Sequence, residues 1–208
     1  MSIKIEKTCV EGWQAAVRGL RNPLNSWSKS DSRFDWNKCE YHIGENDLAL
    51  MKRLSKAGSD HAKFLRMINV TCDITAPLYW WKEYDTYKVG TVANSCSTMH
   101  TIHKKPFELS DFSWEELTEA NLKVLEWLIE VLNANRERYN ATKNKEDWIQ
   151  MIQLLPTSYE QKRTVQLNYQ VLKNMYHSRK GHKLKEWKIL CDWIEKLPYF
   201  MEVCDEQR

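Results

Sequence analysis

The segment Ile68-Asn-Val-Thr-Cys-Asp-Ile-Thr-Ala-Pro77 carries the clearest secondary-structure signal in the chain. Its apolar side chains alternate with polar ones, which is typical of a β-strand with one buried face and one polar face. Pro77 ends the strand, and because proline is tolerated in the first turn of a helix, residues 78–89 are predicted to be helical. The sequence therefore predicts a half-buried strand that leads directly into an aromatic-rich helix.

Apolar residues at helical spacing predict further helices on both sides of this strand. The helices are expected over residues 12–21, 46–57, 113–132, 145–155, 157–179 and 184–194, with a short strand over 2–6 and an ordered loop over 26–38. Capping-box spacing, in which Ser or Thr precedes Glu by three residues, places two of the helix N-termini at 113–116 and 157–160. Together these elements predict an α/β (α+β) fold in which a small sheet packs with long helices. We expect a single domain over residues 1–208, of which residues 1–45 are the least readable part.

Composition excludes several classes of protein. The 208 residues are 42% apolar and 28% charged, with six Gly and five Pro, which excludes collagen-like and low-complexity chains. Basic and acidic residues number 31 and 28, a balance too even to predict binding to nucleic acid or to a membrane surface. No apolar run approaches the roughly 18–20 residues that span a bilayer, and the first residues lack a secretory signal. We therefore expect a cytoplasmic protein whose six scattered cysteines are free thiols.

Three groups of reactive side chains have both a chemical and a structural interpretation. His100 and His103 have His-x-x-His spacing, but no further ligand stands at a suitable distance along the chain, so no metal site is predicted. Cys96 is a candidate nucleophile if His100 lies one helical turn away, and a buried structural thiol otherwise. Arg179 and the lysines that follow it either bind a phosphate or complement the dipole at the end of a helix.

Residues 73–100 hold the densest mixture of aromatic and hydrogen-bonding side chains. Aromatic rings beside polar groups suit the stacking and edge recognition of a nucleobase or another planar ring. The alternative is a hydrated surface helix whose aromatic side chains, among them Trp80, Trp81 and Tyr84, face the core.

The same segment resembles the flavin-dependent thymidylate synthases. That family carries Ala-Pro at a strand-to-helix junction, followed by Arg-Gln-x-x-Arg-His-Arg-x-x-Ser-x-Asn-Glu-x-Ser-x-Arg-Tyr. Residues 76–100 fit this frame with one residue inserted near Ala93. The similarity resumes at Leu155-Pro156 and continues without a gap through Arg179. It covers residues 46–197.

The resemblance implies a homotetramer that builds each site from several subunits and places flavin, as FAD, between them. It implies that Asn168 holds the flavin and that Arg179 contacts a pyrimidine nucleotide. Glu83 and His100 are the candidates for proton transfer, and no other catalytic residue is assigned. The complete set of ligand-binding residues expected from the resemblance is Tyr87, Lys88, Asn94, Ser97, Asn168, Asn174 and Arg179.

Several positions depart from the family pattern in chemically important ways. The family's Arg-His-Arg is Thr86-Tyr87-Lys88, and its pyrimidine-reading Gln is Glu83. Two further family arginines fall on Met99 and Ile152, which cannot make a bidentate, charge-assisted contact with phosphate. We therefore expect that the usual substrate does not bind here in the usual way.

The sequence consequently predicts a protein that binds a nucleotide or dinucleotide-like ligand without ordinary thymidylate synthesis. Such a protein sequesters or senses its ligand, as phage-encoded antagonists of nucleotide signalling do. The alternative is an active flavin-dependent methyltransferase or reductase that acts on a pyrimidine nucleotide. A structural or protein-binding module is expected if Trp80, Trp81 and Tyr84 fill the pocket. The expected partners are a nucleotide-type small molecule and further copies of the chain, with neither a membrane nor nucleic acid.

Overall fold

The computed structural model describes residues 3–204, which divide into two compact units. Unit 1 comprises residues 3–5, Asp73–Thr86 and Asn94–Thr164. Unit 2 comprises Glu6–Cys72, Tyr87–Ala93 and residues 165–204. The single domain expected over residues 1–208 stays a prediction.

Helices and short strands alternate along the chain. The strands are β1 (Lys4–Glu11), β2 (Arg33–Asp35), β3 (Glu40–His42), β4 (Asn69–Pro77), β5 (Val92–Ser95) and β6 (Glu160–Asn168). The α-helices are α1 (Trp13–Arg21), α2 (Glu45–Lys56), α3 (Leu78–Tyr84), α4 (Thr98–Thr101), α5 (Glu119–Thr142), α6 (Lys145–Leu154), α7 (Tyr169–Arg179), α8 (Lys185–Ile194) and α9 (Phe200–Cys204). Four strands form a sheet in the order β1-β4-β6-β5, and β2 pairs with β3 as an antiparallel hairpin. This mixture of helices with a small sheet confirms the predicted fold class.

No helix within residues 3–204 is long and apolar enough to cross a membrane.

The strand predicted from the alternation over residues 68–75 is confirmed as β4. Its apolar side chains at Val70, Cys72 and Ile74 are buried, as the pattern indicates. Asp73, on the face predicted to be polar, is also buried, because Thr164 donates a hydrogen bond to its Oδ1 at 2.7 Å and Lys162 pairs with its Oδ2 at 3.0 Å. Helices α1, α2, α6 and α8 also lie where the apolar spacing predicts them.

The helix start predicted at 157–160 is wrong. Residues 160–168 form β6, in which Val165 and Leu167 are buried while Thr164 and Gln166 are exposed, a period of two rather than 3.6. No helix begins at the capping-box pattern because the backbone of this segment forms hydrogen bonds with α3. The N–H groups of Leu78 and Tyr79 donate to the carbonyl oxygens of Tyr159 and Thr157. Only the later part of the predicted helix, α7, is helical.

The helix start predicted at 113–116 is also wrong. The N–H of Ser113 donates to the carbonyl of Ser158 at 2.8 Å, so this segment pairs with another part of the chain instead of turning into a helix. Helix α5 begins at Glu119, behind Thr118, whose hydroxyl accepts from the N–H of Asn121. The predicted helix 78–89 ends at Tyr84, and the loop predicted over 26–38 contains β2. The short strand expected over 2–6 is confirmed for residues 4–6, which belong to the longer β1. Ile3 precedes the strand, and Ser2 lies outside the described residues.

Three of the four aromatic residues of α3 are core residues of unit 1. Trp80, Trp81 and Tyr84 are at most 2% exposed, and their ring centroids lie 4.9–5.2 Å apart. Trp81 also donates from Nε1 to the carbonyl of Gln161 at 2.9 Å, and the guanidinium of Arg163 lies 4.2 Å from its ring centroid. These rings therefore belong to the packed interior, which agrees with the alternative interpretation of residues 73–100, in which the aromatic side chains face the core.

A buried ion pair organises the first third of unit 2. The Nε of Arg21, at the end of α1, donates to Oδ1 of Asp47 in α2 at 2.5 Å, and the two side chains are 5% and 0% exposed. The second oxygen, Oδ2, accepts from the hydroxyls of Ser30 and Ser32 and from the N–H groups of Asp31 and Ser32. Asp47 thereby ties the loop before β2 to both helices.

Asp31 repeats this pattern at the start of α2. Its carboxylate accepts from the N–H of Asn46 at 2.8 Å and from the N–H of Asp47 at 3.1 Å, and so caps a helix whose own preceding residue is Gly44. The loop thus donates hydrogen bonds to Asp47 of α2 and accepts hydrogen bonds at Asp31 from the N–H groups of α2.

Replacing Asp47 with Asn should destabilise the protein strongly, because it leaves Arg21 buried without its counter-charge. We expect a loss of about 3–5 kcal/mol in the free energy of unfolding, measured by urea denaturation. Asp192→Asn, at an exposed position on α8, is the matched control and should change the free energy by less than about 0.5 kcal/mol.

The same pair predicts a dependence of stability on acid. Burial raises the pKa of Asp47, but the hydrogen bonds from Ser30, Ser32 and Arg21 outweigh it and hold the pKa below its usual value. A carboxyl with a lowered pKa stabilises the fold above the pKa of the unfolded chain, about 3.9, and loses this contribution as the pH falls through its folded pKa. Urea denaturation between neutral pH and acid should therefore show a loss in the wild type that is reduced in Asp47→Asn. An equal loss in both proteins would contradict this assignment.

Candidate functional site

A cavity of about 1190 Å³ lies in unit 2 against the loop that Asp47 holds. We call it the cation-lined cavity. Its walls come from the end of α1 with the following turn, from one face of α2 and from the 3₁₀ segment Ala62–Met67. The larger apolar side chains of the lining are Leu20, Leu24, Leu50, Leu54, Phe64 and Met67.

Three cationic side chains with no carboxylate partner in the described part of the chain border this cavity. Lys29, Arg53 and Lys63 are exposed, and none forms an ion pair with any of residues 3–204. Of the two acidic side chains in the lining, Asp31 is occupied by the N–H groups at the start of α2, which leaves Asp60. The cavity is therefore suited to an anionic ligand that also carries an apolar body.

Arg179 is held by two aromatic rings in unit 2. Its Nε donates to the hydroxyl of Tyr87 at 2.9 Å, and its guanidinium carbon lies 4.7 Å from the ring centroid of Trp187 and 5.6 Å from that of Tyr87. His182 packs edge-on against the same Trp187 ring at 6.1 Å. Stacking fixes the plane of a guanidinium, and a fixed plane favours bidentate contact with a carboxylate or phosphate. The assignment of Arg179 to a phosphate-bearing ligand stays a prediction.

Asn168 has a structural task in the same unit. Its Oδ1 accepts from the N–H of Val171 at 3.0 Å and so caps α7, and the residue is 8% exposed. A Cβ on Gly90 would lie 2.6 Å from its Nδ2, and Gly90 has a φ of +73°. The loop from Tyr87 to Ala93 therefore approaches Asn168 closely through a position that only glycine fills without strain.

The other predicted ligand residues of unit 2 are on its surface. Asn174, on α7, is exposed and accepts from Nε2 of Gln170 at 3.2 Å. Lys88 is exposed in the loop that follows Tyr87. The assignment of Asn168, Asn174 and Lys88 to a ligand stays a prediction.

Unit 1 holds the remaining predicted residues. Asn94 is exposed on β5, Glu83 is half-buried on α3, and Ser97 caps α4 by accepting from the N–H of His100 at 3.2 Å. His100 is exposed and lines a small cavity of about 360 Å³ together with Met99, His103, Tyr139, Lys143, Lys145 and Trp148. Within residues 3–204, no three His, Cys, Asp or Glu side chains are grouped so that they could hold a metal ion.

The cysteines are free thiols, as the sequence predicted. Cys96 is exposed, so its interpretation as a buried structural thiol is wrong. It lies outside α4, and its N–H donates to the carbonyl of Lys162 at 2.9 Å. Burial raises the pKa of Cys191 to about 11 and that of Cys204 to about 12, so both thiols stay protonated and unreactive at neutral pH.

No protein-family model matches the chain, and no curated protein sequence matches it. Two crystal structures of the flavin-dependent thymidylate synthase ThyX from Helicobacter pylori, both with FAD and dUMP, do match. The first has a TM-score of 0.70 and 20% sequence identity and aligns over 99% of both chains. The second has a TM-score of 0.69 and 19% identity and aligns over 99% of this chain and 98% of the other.

The chain has the fold of a flavin-dependent thymidylate synthase. The resemblance inferred from the Ala76-Pro77 and Leu155-Pro156 segments is confirmed at the level of the fold. At about 20% identity, the similarity to ThyX establishes the fold of this chain. The chemistry of its sites has to be inferred from its own residues.

Met99 and Ile152, which occupy positions of arginine in the family pattern, both have apolar side chains. Ile152, on α6, packs against the buried cluster of unit 1 that contains Leu132 and Met151. Met99 is 51% exposed at the mouth of the small cavity beside His100. Neither side chain supplies a charge, as the sequence indicated.

The residues of the cation-lined cavity were not found by sequence reasoning. They are spread over residues 19–67, follow no spacing motif and lie mostly in the part of the chain that was least readable. The one available signal was Asp47, a charged residue among the apolar positions of a helix, and its burial becomes evident only from the structure.

Replacing Gly90 with Ala should destabilise unit 2. The substitution combines a positive φ with a contact to Asn168 that is shorter than van der Waals distance, so we expect a loss of about 1–3 kcal/mol. Gly181→Ala is the matched control because no atom of residues 3–204 lies within 4 Å of its Cβ position. Thermal unfolding of the two variants should separate them clearly, and equal melting temperatures would contradict the close approach of this loop to Asn168.

Proposed function

We propose that this chain binds a nucleotide-type ligand on a ThyX-like scaffold and does not carry out ordinary thymidylate synthesis. The observation that supports the proposal most strongly is the cation-lined cavity, with Lys29, Arg53 and Lys63 around an apolar wall. A nucleotide has the same two parts, a phosphate with negative charge and a planar base with two apolar faces.

The chemistry of the lining matches these two parts separately. A charge-assisted hydrogen bond from Arg or Lys to phosphate contributes about 1.5–3 kcal/mol, and three cations near one cavity provide more than one such contact. Leu24, Leu50 and Leu54 offer an apolar surface on which a base or an isoalloxazine ring packs. Asp60 remains available to accept hydrogen bonds from a ribose hydroxyl or an exocyclic amine.

FAD fits the size and charge of this cavity. A volume of about 1190 Å³ is larger than that of a typical small-ligand pocket, roughly 300–1,000 Å³, and suits a dinucleotide better than a mononucleotide. The two solved ThyX structures contain FAD and dUMP, which supports ligands of this class. If FAD binds, Lys29, Arg53 and Lys63 are the residues that would hold its pyrophosphate, and the flavin would supply hydride-transfer chemistry.

The proposal excludes ordinary thymidylate synthesis because of Met99 and Ile152. Ile152 packs in an apolar cluster, so neither it nor Met99 replaces the lost phosphate contacts. The alternative, a flavin-dependent transferase acting on a pyrimidine nucleotide, is favoured by one observation, the fixed guanidinium of Arg179 beside Tyr87. The homotetramer, the cytoplasmic location and the phage-type role in sequestering or sensing a nucleotide stay predictions.

A structural or protein-binding module is the third interpretation, expected if Trp80, Trp81 and Tyr84 fill the nucleotide pocket that the resemblance implies. The three side chains are at most 2% exposed, as this interpretation requires, and the interpretation itself stays a prediction.

The proposal is tested by calorimetric titration of the protein with FAD and with dUMP. Replacing both Arg53 and Lys63 with Gln should weaken binding of the tighter ligand at least about tenfold, because two charge-assisted contacts are removed. Lys188→Gln, an exposed position on α8 that does not line the cavity, is the matched control and should leave the affinity unchanged. Absence of binding to both ligands, or equal affinity in the double variant, would contradict the proposal.

Arg179→Ala tests the predicted contact between Arg179 and a pyrimidine nucleotide. If the fixed guanidinium binds the ligand, affinity for dUMP should fall roughly tenfold or more while the free energy of unfolding changes little. Unchanged affinity would show that Arg179 only packs between Tyr87 and Trp187.

Complementation distinguishes the binding protein from the enzyme. Expression of this chain in a thymidine-requiring strain that lacks thymidylate synthase should not restore growth, because the phosphate contacts at Met99 and Ile152 are absent. Growth without thymidine would overturn the non-thymidylate proposal in favour of the enzyme.

A further inference from the structure

A second cavity in unit 2, of about 730 Å³, has walls of a different chemistry. It lies at the end of β1, the start of α1 and the hairpin of β2 and β3. Four aromatic side chains and two carboxylates dominate its lining, which is why we call it the aromatic–acidic cavity: Trp13, Phe34, Tyr41, Tyr199, Glu11 and Glu40.

The aromatic walls are fixed by their packing. Trp13 is 7% exposed and contacts Tyr169 and Tyr199 edge-on, with centroid distances of 5.3 and 5.5 Å. The hydroxyl of Tyr169 donates to the carbonyl of Pro198 at 2.6 Å and so holds the turn that carries Tyr199. The rings are therefore in place before any ligand arrives.

The hairpin provides the opposite wall. Phe34 and Tyr41 are directly paired across β2 and β3, so their side chains lie next to each other on one face of the hairpin. Burial is the main reason that the pKa of Tyr41 is raised, and its phenol accordingly stays neutral at physiological pH. The hairpin thus adds two uncharged rings.

The charge of the lining is opposite to that of the whole chain. The chain has a net charge of +3, but none of the described residues that line this cavity is Lys or Arg. Glu11 and Glu40 are the carboxylates, and neither forms an ion pair with any of residues 3–204. His42 also lines the cavity, with its Nε2 at 3.7 Å from Oδ2 of Asp35.

We propose that the aromatic–acidic cavity binds an organic cation, an alkylammonium or guanidinium group. The faces of aromatic rings attract such a group through their quadrupole, and two carboxylates add direct charge attraction. A small inorganic cation would lose its hydration shell against the aromatic walls, and a neutral apolar molecule would gain nothing from the carboxylates. The site is independent of the cation-lined cavity, whose lining repels the same ligand.

Choline and its neutral carbon isostere, 3,3-dimethylbutan-1-ol, are the probes that separate charge from shape. Titration of the full chain, followed by intrinsic tryptophan fluorescence, should show saturable binding of choline and at least about tenfold weaker binding of the isostere. A parallel titration with the peptide Gly-Arg-Gly distinguishes a free small molecule from a cationic side chain of a protein partner as the source of the group.

Two variants connect the binding to the named residues. Glu11→Gln combined with Glu40→Gln should weaken choline binding at least about tenfold, whereas Glu126→Gln, at an exposed position on α5, should not change it. Phe34→Leu keeps an apolar wall but removes one ring face, and should weaken choline more than the isostere. Equal affinity for the two probes, binding that ignores the Glu11 and Glu40 substitutions, or no binding of choline or of the peptide up to about 10 mM would overturn the proposal.

Discussion

The carboxylate of Asp47 is the interaction on which the first third of the chain depends. It neutralises Arg21 inside unit 2 and accepts four further hydrogen bonds from the loop that includes Ser30 and Ser32. A buried carboxylate with this many donors stabilises the fold only while all of them are present, because removing one partner leaves the others buried without compensation. The same hydrogen bonds also hold part of the proposed site in place, since Arg21, Ser30 and Asp31 line the cation-lined cavity.

Charge is distributed unevenly over unit 2, and this distribution is informative about function. An even balance of 31 basic and 28 acidic residues suggests no particular partner at the level of composition. In the structure, three cations without an ion-pair partner among residues 3–204 border one cavity, while two carboxylates and four rings border another. Arg179, stacked on Trp187, is a further fixed cation. The local charge at each cavity therefore favours a ligand of opposite charge, anionic at the first and cationic at the second, although the net charge of the chain predicts neither.

Much of the fold could be predicted because its signals are local. The alternation in β4 and the helical spacing in α1, α2, α6 and α8 come from neighbouring residues, and tertiary contacts do not override them. Strand β6 was missed because the competing hydrogen bonds at 157–159 come from α3, about 80 residues earlier in the chain. The cavity walls were missed for the same reason: Lys29, Arg53 and Lys63 lie on three separate segments, the loop before β2, helix α2 and the 3₁₀ segment Ala62–Met67, and line one cavity only in the folded chain.

The central claim is that the chain binds a nucleotide, and the most direct test is the identity of the ligand that the purified protein carries. An absorbance spectrum of the protein, followed by mass spectrometry of the molecules released on heating, requires no assumption about which nucleotide is bound. The account predicts a phosphate-bearing nucleotide or dinucleotide in the released fraction, or saturable binding of added FAD or dUMP if the protein is purified empty. A protein that releases no such compound and binds neither added ligand would contradict the account and leave the ThyX-like relationship as one of fold alone.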